Sequence, residues 1–134
     1  MDIDKLKSAA IAARKNAYVP YSGFAVGAAI LTKGGQVFEG CNVESISFRL
    51  TLCAEQVALG AAVASGATDF VAIVVVADTE HPVMPCGGCR QLLAEFAPDL
   101  EVISVTLAGP SETHSLGELL PRPKQGILEK ADGS

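Results

Sequence analysis

A chain of 134 residues, 49 % hydrophobic and 19 % charged, is long enough for one domain with its own core and too apolar to be disordered. Its net charge of −5 and pI near 4.9 argue against a nucleic-acid partner, which needs a basic surface, and suit small uncharged ligands better. No apolar run approaches a membrane span, and Met1-Asp2-Ile3-Asp4-Lys5 lacks the basic-then-apolar pattern of a signal peptide. The four cysteines are therefore expected in a reducing cytoplasm, where metal binding or catalysis outranks a disulfide. With no Trp, two Tyr and five Phe, the core must be built from small aliphatics.

Asp2 or Asp4 can cap a first helix in which Ile3, Leu6, Ala10 and Ala13 fall near helical spacing. It is expected to run to about Tyr18, because Val19 precedes Pro20 and is pushed out of helical geometry. Phe24 to Thr32 reads as a strand, Lys33-Gly34-Gly35-Gln36 as a tight turn, and Val37 to Asn42 as the paired strand. Cys53 to Ser65, rich in Ala, Leu and Val, reads as a helix. Its Gly60-Ala61-Ala62 would let a neighbouring backbone approach closely. Phe70 to Ala77 is a continuous apolar run of β-branched residues, the pattern of a strand covered on both faces. A helix opened by Cys86 and Cys89 follows, with Gln91 to Phe96 as its body and Pro98 near its end. Glu101 to Leu107 is a strand, and Leu116 to Leu120 a short helical turn cut by Pro121-Arg122-Pro123. The order predicts one α/β domain over residues 1–134, with one mixed sheet and helices on its faces. The tail after about residue 121 follows none of these patterns.

The chemistry is concentrated in Cys53-Ala54-Glu55 and Pro85-Cys86-Gly87-Gly88-Cys89. Each segment opens a predicted helix, so three thiols can meet where two helix dipoles favour negative charge and lower thiol pKa values. Three thiolates around zinc leave the fourth tetrahedral position to water. Glu55, two residues past the first thiol, is placed to act as a general base. Other readings remain open: a structural four-cysteine zinc site using Cys41, a redox pair at Cys86 and Cys89, and Glu55 as a carboxylate that merely complements a helix dipole. Cys41 by itself reads as a small buried hydrophobe.

With a Cys-x-Glu and a Pro-Cys-x-x-Cys segment, the chain resembles the cytidine deaminase family in its small, three-cysteine, homotetrameric form. The resemblance runs from about Tyr18 to Pro121. It implies a three-layer sandwich with a five-stranded mixed sheet and one zinc ion per chain on Cys53, Cys86 and Cys89. It also implies hydrolytic deamination of cytidine or deoxycytidine in pyrimidine salvage. Glu55 would relay a proton to ring N3 and to the departing amino group, and the Ala54 N–H would steady the pyrimidine carbonyl. Phe24 would lie beside the base, and Asn42 and Glu44 would bind the ribose 3′-hydroxyl. Arg90 would offset the negative charge of three thiolates, helped by Gln56, which stands where the family commonly has Arg and can donate a hydrogen bond to sulfur. The chain departs from the family at Ser45, at Phe48 in place of Tyr, and near Lys124, since no aromatic follows Phe96. These departures leave a second substrate class open, a modified cytosine such as blasticidin S.

Overall fold

Asp2 starts the first helix, α1 (Ile3–Arg14): its carboxylate accepts the Lys5 N–H at 3.0 Å, a capping bond worth about 1 kcal/mol. The structure is a computed structural model that describes residues 2–123, so the tail position Lys124 lies outside the described residues. Leu6, Ala10 and Ala13 form the buried stripe of α1. The helix stops short of Tyr18. Asn16 and Ala17 turn their N–H groups to Ala13 and Arg14, and Tyr18 is drawn into an extended bridge with Val43, donating to Asn42 O at 3.0 Å. Helical and extended backbone compete for this segment, and the Val43 partner decides the outcome.

The sheet comprises β1 (Val26–Thr32), β2 (Val37–Cys41), β3 (Phe70–Ala77), β4 (Glu101–Thr106) and β5 (Ser111–Ser115) in the order β2-β1-β3-β4-β5. Only the β3–β4 pair is parallel. The β1–β2 turn places Gly35 at φ 91°, a left-handed conformation that glycine adopts without strain. β1 starts two residues later than the sequence suggests because the Asn42 side chain holds its entry. Asn42 Nδ2 donates to Phe24 O at 2.8 Å, and its Oδ1 accepts the Val26 N–H at 2.9 Å. β5 is the element that the residue pattern does not reveal. Ser-Glu-Thr-His-Ser has no apolar alternation, and its strand character comes from backbone pairing with β4. A polar edge strand also discourages sheet-to-sheet pairing.

Helices cover both faces, as the α/β sandwich requires. On one face α1 packs Leu6 and Ala10 against Ala29, Ala72, Val74, Val76 and Ile103. On the other, α2 (Ala54–Ala64) and α3 (Gly87–Phe96) bury Ala58, Leu59, Ala62, Leu93 and Ala94 against Ala28, Ile30, Ile73, Val75 and Val102. β3 is covered on both sides, with only Val71 exposed. A 3-10 turn (Phe48–Leu50) precedes α2, and a four-residue helix, α4 (Leu116–Leu119), closes the described chain. Gly60 faces open space, so no described residue makes the close approach it permits.

Two glycines set how near the helices come. A Cβ on Gly27 would collide with Ala10 O and Arg14 of α1, and a Cβ on Gly40 with Ala54 O and Ala58 N of α2. The Gly40 contact matters for chemistry because it seats the first turn of α2, which carries Glu55. Gly40→Ala must push backbone against backbone. We expect a loss of about 3 kcal/mol or more, read as a lower denaturation midpoint; an unchanged midpoint would show that α2 is free to shift.

Candidate metal centre

Cys53 and Cys86 are the N-cap residues of α2 and α3, both in extended backbone at ψ 152° and 169°. Cys89 lies in the first turn of α3. The three sulfurs lie within 4.8 Å of one another, with Cys86 and Cys89 3.5 Å apart. A tetrahedral zinc with bonds of about 2.3 Å holds its sulfurs about 3.8 Å apart, so the donor set matches that ion in kind and spacing. Cys41 is not part of it. Gly40 faces α2, strand alternation turns Cys41 to the α1 side, and among the described residues the cluster holds only Cys53, Cys86 and Cys89.

The electrostatics correct the sequence expectation of three thiols with lowered pKa. Only Cys86 follows it: the Cys89 N–H, assisted by that of Gly88, donates to its sulfur and pulls its pKa below the usual thiol value. Burial pushes Cys53 and Cys89 up instead, and the neighbouring Glu55 carboxylate adds to both. Glu55 is itself 6 % exposed, and its pKa is raised by burial, with the Cys89 contact working the other way. Without a counter-ion these groups resist ionisation together. A divalent cation is the natural partner for such a cluster.

Gln56 caps α2 from within its first turn, its Oε1 accepting the Cys53 N–H at 2.9 Å. Its amide oxygen therefore holds the backbone of the first thiol. Arg90 donates from Nε to Pro85 O at 2.8 Å and from Nη1 to Leu119 O at 3.3 Å. Its charge is not among the leading influences on the three thiols, which are burial, one another, Glu55 and backbone N–H groups.

A cavity of about 210 Å³ opens beside the cluster, lined by Cys53, Ala54 and Glu55, by Phe24, Val26 and Val75, and by Asn42 and Thr51. Ala54 opens α2, so its N–H has no acceptor within the helix. Phe24, Asn42, Ala54 and Glu55 thus line one cavity. Glu44 does not line this cavity. Its carboxylate accepts the N–H groups of Tyr21 and Ser22, each at 3.1 Å, and the Ser22 hydroxyl. A sugar hydroxyl would have to compete with Ser22 for it. Val83 and Met84 complete the lining, and sequence reasoning missed these two together with Val26, Thr51 and Val75. Val26 and Val75 were legible only as strand positions. The β1–β3 register, with Ala28 opposite Val75, puts them on the α2 side of the sheet.

The family model for the cytidine and deoxycytidylate deaminase zinc-binding region matches residues 1–105. The chain belongs to this family. A cytidine deaminase from Halalkalibacterium halodurans is 52 % identical over 122 residues, 90 % of this chain and 92 % of that one. One from Sporosarcina psychrophila is 47 % identical over 133 residues, 98 % and 95 % of the two chains. The crystal structure of cytidine deaminase from Burkholderia pseudomallei superposes with a TM-score of 0.88 at 48 % identity, covering 91 % of this chain and 98 % of that one. As a member of the deaminase family the chain takes one zinc ion, and the three-thiol cluster is the donor set that fits it.

Glu44 offers a titration test. Hydrogen bonding by Ser22, chiefly through its hydroxyl, holds its carboxyl below the ordinary 4.5. A lowered folded value means that the Glu44–Ser22 turn is fully stabilised above the unfolded value and loses that support as pH falls through the folded one. Carboxyl-carbon NMR should find Glu44 titrating below 4.5, with Ser22→Ala moving it upward; no movement in Ser22→Ala would remove the hydroxyl as the cause.

Proposed function

We propose that this chain hydrolytically deaminates free cytidine or deoxycytidine to the uracil nucleoside, releasing ammonia. The observation that carries the reading is the buried Glu55 carboxyl placed on a cluster of three thiols rather than four, beside a small cavity. A purely structural zinc site would enclose the metal with four ligands. Cys53, Cys86 and Cys89 would hold the zinc, which when bound supplies Lewis-acid activation of water, lowering its pKa from 15.7 to about 7.

Glu55 does the proton work. Its desolvated carboxylate takes a proton from water and delivers it to pyrimidine N3 as the hydroxide so formed adds to C4. It then takes the proton of the new C4 hydroxyl and hands it to the amino nitrogen, so that the C4–N bond breaks, ammonia leaves and C4 becomes the carbonyl. Burial keeps its pKa up, towards the working range of a general acid–base group. The Ala54 N–H, at the positive end of α2, donates to the pyrimidine carbonyl. Phe24, Val26 and Val75 exclude bulk water from the base. Asn42 reaches the sugar from the same side of the sheet while its amide also pins the backbone of Phe24 and Val26.

The cavity is smaller than the roughly 300 Å³ at which small-molecule pockets usually begin. Beside it the segment 43–52 exposes Ile46 at 82 %, Phe48 at 74 % and Leu50 at 67 %, and Phe48 stands edge-on to Tyr21 at 6.2 Å. Further copies of this chain, as in a homotetramer, would cover that surface and complete the site. No helix among the described residues is long and apolar enough to cross a membrane. A cytoplasmic setting would keep the four cysteines reduced.

The zinc-loaded protein should release ammonia from cytidine or deoxycytidine. Glu55→Gln should keep its zinc and lose about 10²- to 10⁴-fold in turnover. Retained activity in that variant would remove Glu55 from its role. Inert nucleosides alongside rapid loss of blasticidin S would keep the chemistry and change the substrate.

A further inference from the structure

Cys86 is the exposed member of the thiol cluster, whereas Cys89 is buried. It ends a segment, 78–86, with no regular structure. Its sulfur accepts the Cys89 and Gly88 N–H groups, the Pro85 ring before it is buried, and the carbonyls of both residues are bonded. Those two carbonyl bonds both come from position 90: the backbone N–H donates to Cys86 O at 2.9 Å as the first helical bond of α3, and the Arg90 side chain donates from Nε to Pro85 O at 2.8 Å. The other end of the guanidinium reaches across to Leu119 O at 3.3 Å, at the last residue of α4. Gln91, the next residue, donates from Nε2 to Pro123 O at 3.0 Å. Leu119 and Leu120 pack against the core cluster that includes Leu93. Thus two consecutive α3 residues tie down the chain leaving α4, and one of them also grips the turn that presents Cys86.

We propose that Arg90 is a positioning residue that clamps the Pro85–Cys86 turn to the docked 119–123 segment, so that docking of this segment sets how firmly Cys86 holds the metal. The inference rests on the zinc reading above. A planar guanidinium donates in several fixed directions and can satisfy two carbonyls at once. The terminal carbonyls of α4 have no partner within that helix and accept this donor readily. The role is geometric: the cation bonds peptide oxygens, one of them adjacent to a ligand.

The test follows the rate at which zinc passes from the full-length, zinc-loaded protein to a coloured chelator. It compares wild type, Arg90→Met, Arg90→Lys, Leu119→Ser and the Arg90→Met/Leu119→Ser pair. Wild type should hold one zinc per chain and release it slowly. Arg90→Met should release it about tenfold faster, the lower end of what lost support around a metal site costs. Leu119→Ser, which undocks the segment without touching Arg90, should act in the same direction. The pair should be no faster than Arg90→Met alone, the signature of one shared clamp. Arg90→Lys should stay fast, because one ammonium cannot span both carbonyls. Thermal melts of the metal-free proteins separate these effects from general unfolding, and Arg90→Lys and Leu119→Ser decide the matter should Arg90→Met fail to fold. Release at the wild-type rate in Arg90→Met, rescue by Arg90→Lys, or additive effects in the pair would each overturn the clamp. A wild type that takes up no zinc would overturn the zinc reading itself.

Discussion

A buried thiol, a half-buried thiol and a buried carboxyl share one small volume at the ends of two helices, and that crowding governs the rest of the molecule. Burial raises the pKa of Cys53, Cys89 and Glu55 alike, so none of them ionises readily in isolation. The N–H groups of Cys89 and Gly88 bring down only Cys86. An uncompensated charge of this kind costs several kcal/mol inside a protein. The arrangement is therefore built for a cation, with the free energy of binding it offsetting the cost of holding the ligands together. The same desolvation that disfavours a bare Glu55 carboxylate gives it the proton affinity that deamination requires.

The scaffold supplies placement. Gly40 lets α2 lie directly on β2, and that contact fixes the height of Glu55 above the sheet. Asn42 substitutes for a strand partner at the mouth of β1, so one buried amide both orders Phe24 and Val26 and lines the cavity they border. The β3–α3–β4 unit brings Cys86 and Cys89 to the carboxyl end of the parallel strand pair, where α/β folds present their ligands. Local backbone closeness, rather than a large aromatic core, provides the precision, consistent with a chain that lacks Trp.

Much of this was legible in the residues. Cys-x-Glu and Pro-Cys-x-x-Cys announce the cluster because capping and helical spacing are local rules, and the β-branched run at 70–77 could only be a covered strand. What was hidden depends on partners distant in sequence. β5 is a strand by pairing alone, and α1 ends where Val43 captures Tyr18. Glu44 is held by the Tyr21–Ser22 turn rather than left open for a sugar hydroxyl. Arg90 looks like a counter-charge in sequence because it follows a ligand, yet its donors go to carbonyls that only the folded chain brings near. The thiol pKa values could not be read from helix position because burial is the leading influence at Cys53 and Cys89 and raises both.

Three thiols bind zinc and leave its remaining position open for chemistry. Zinc-edge X-ray absorption on the metal-loaded protein tests this most directly. Such a site should show three sulfur neighbours at about 2.3 Å and one oxygen or nitrogen neighbour at about 2.0 Å. Four sulfur neighbours would mean that Cys41 or a thiol from another chain closes the site, and would contradict a catalytic metal.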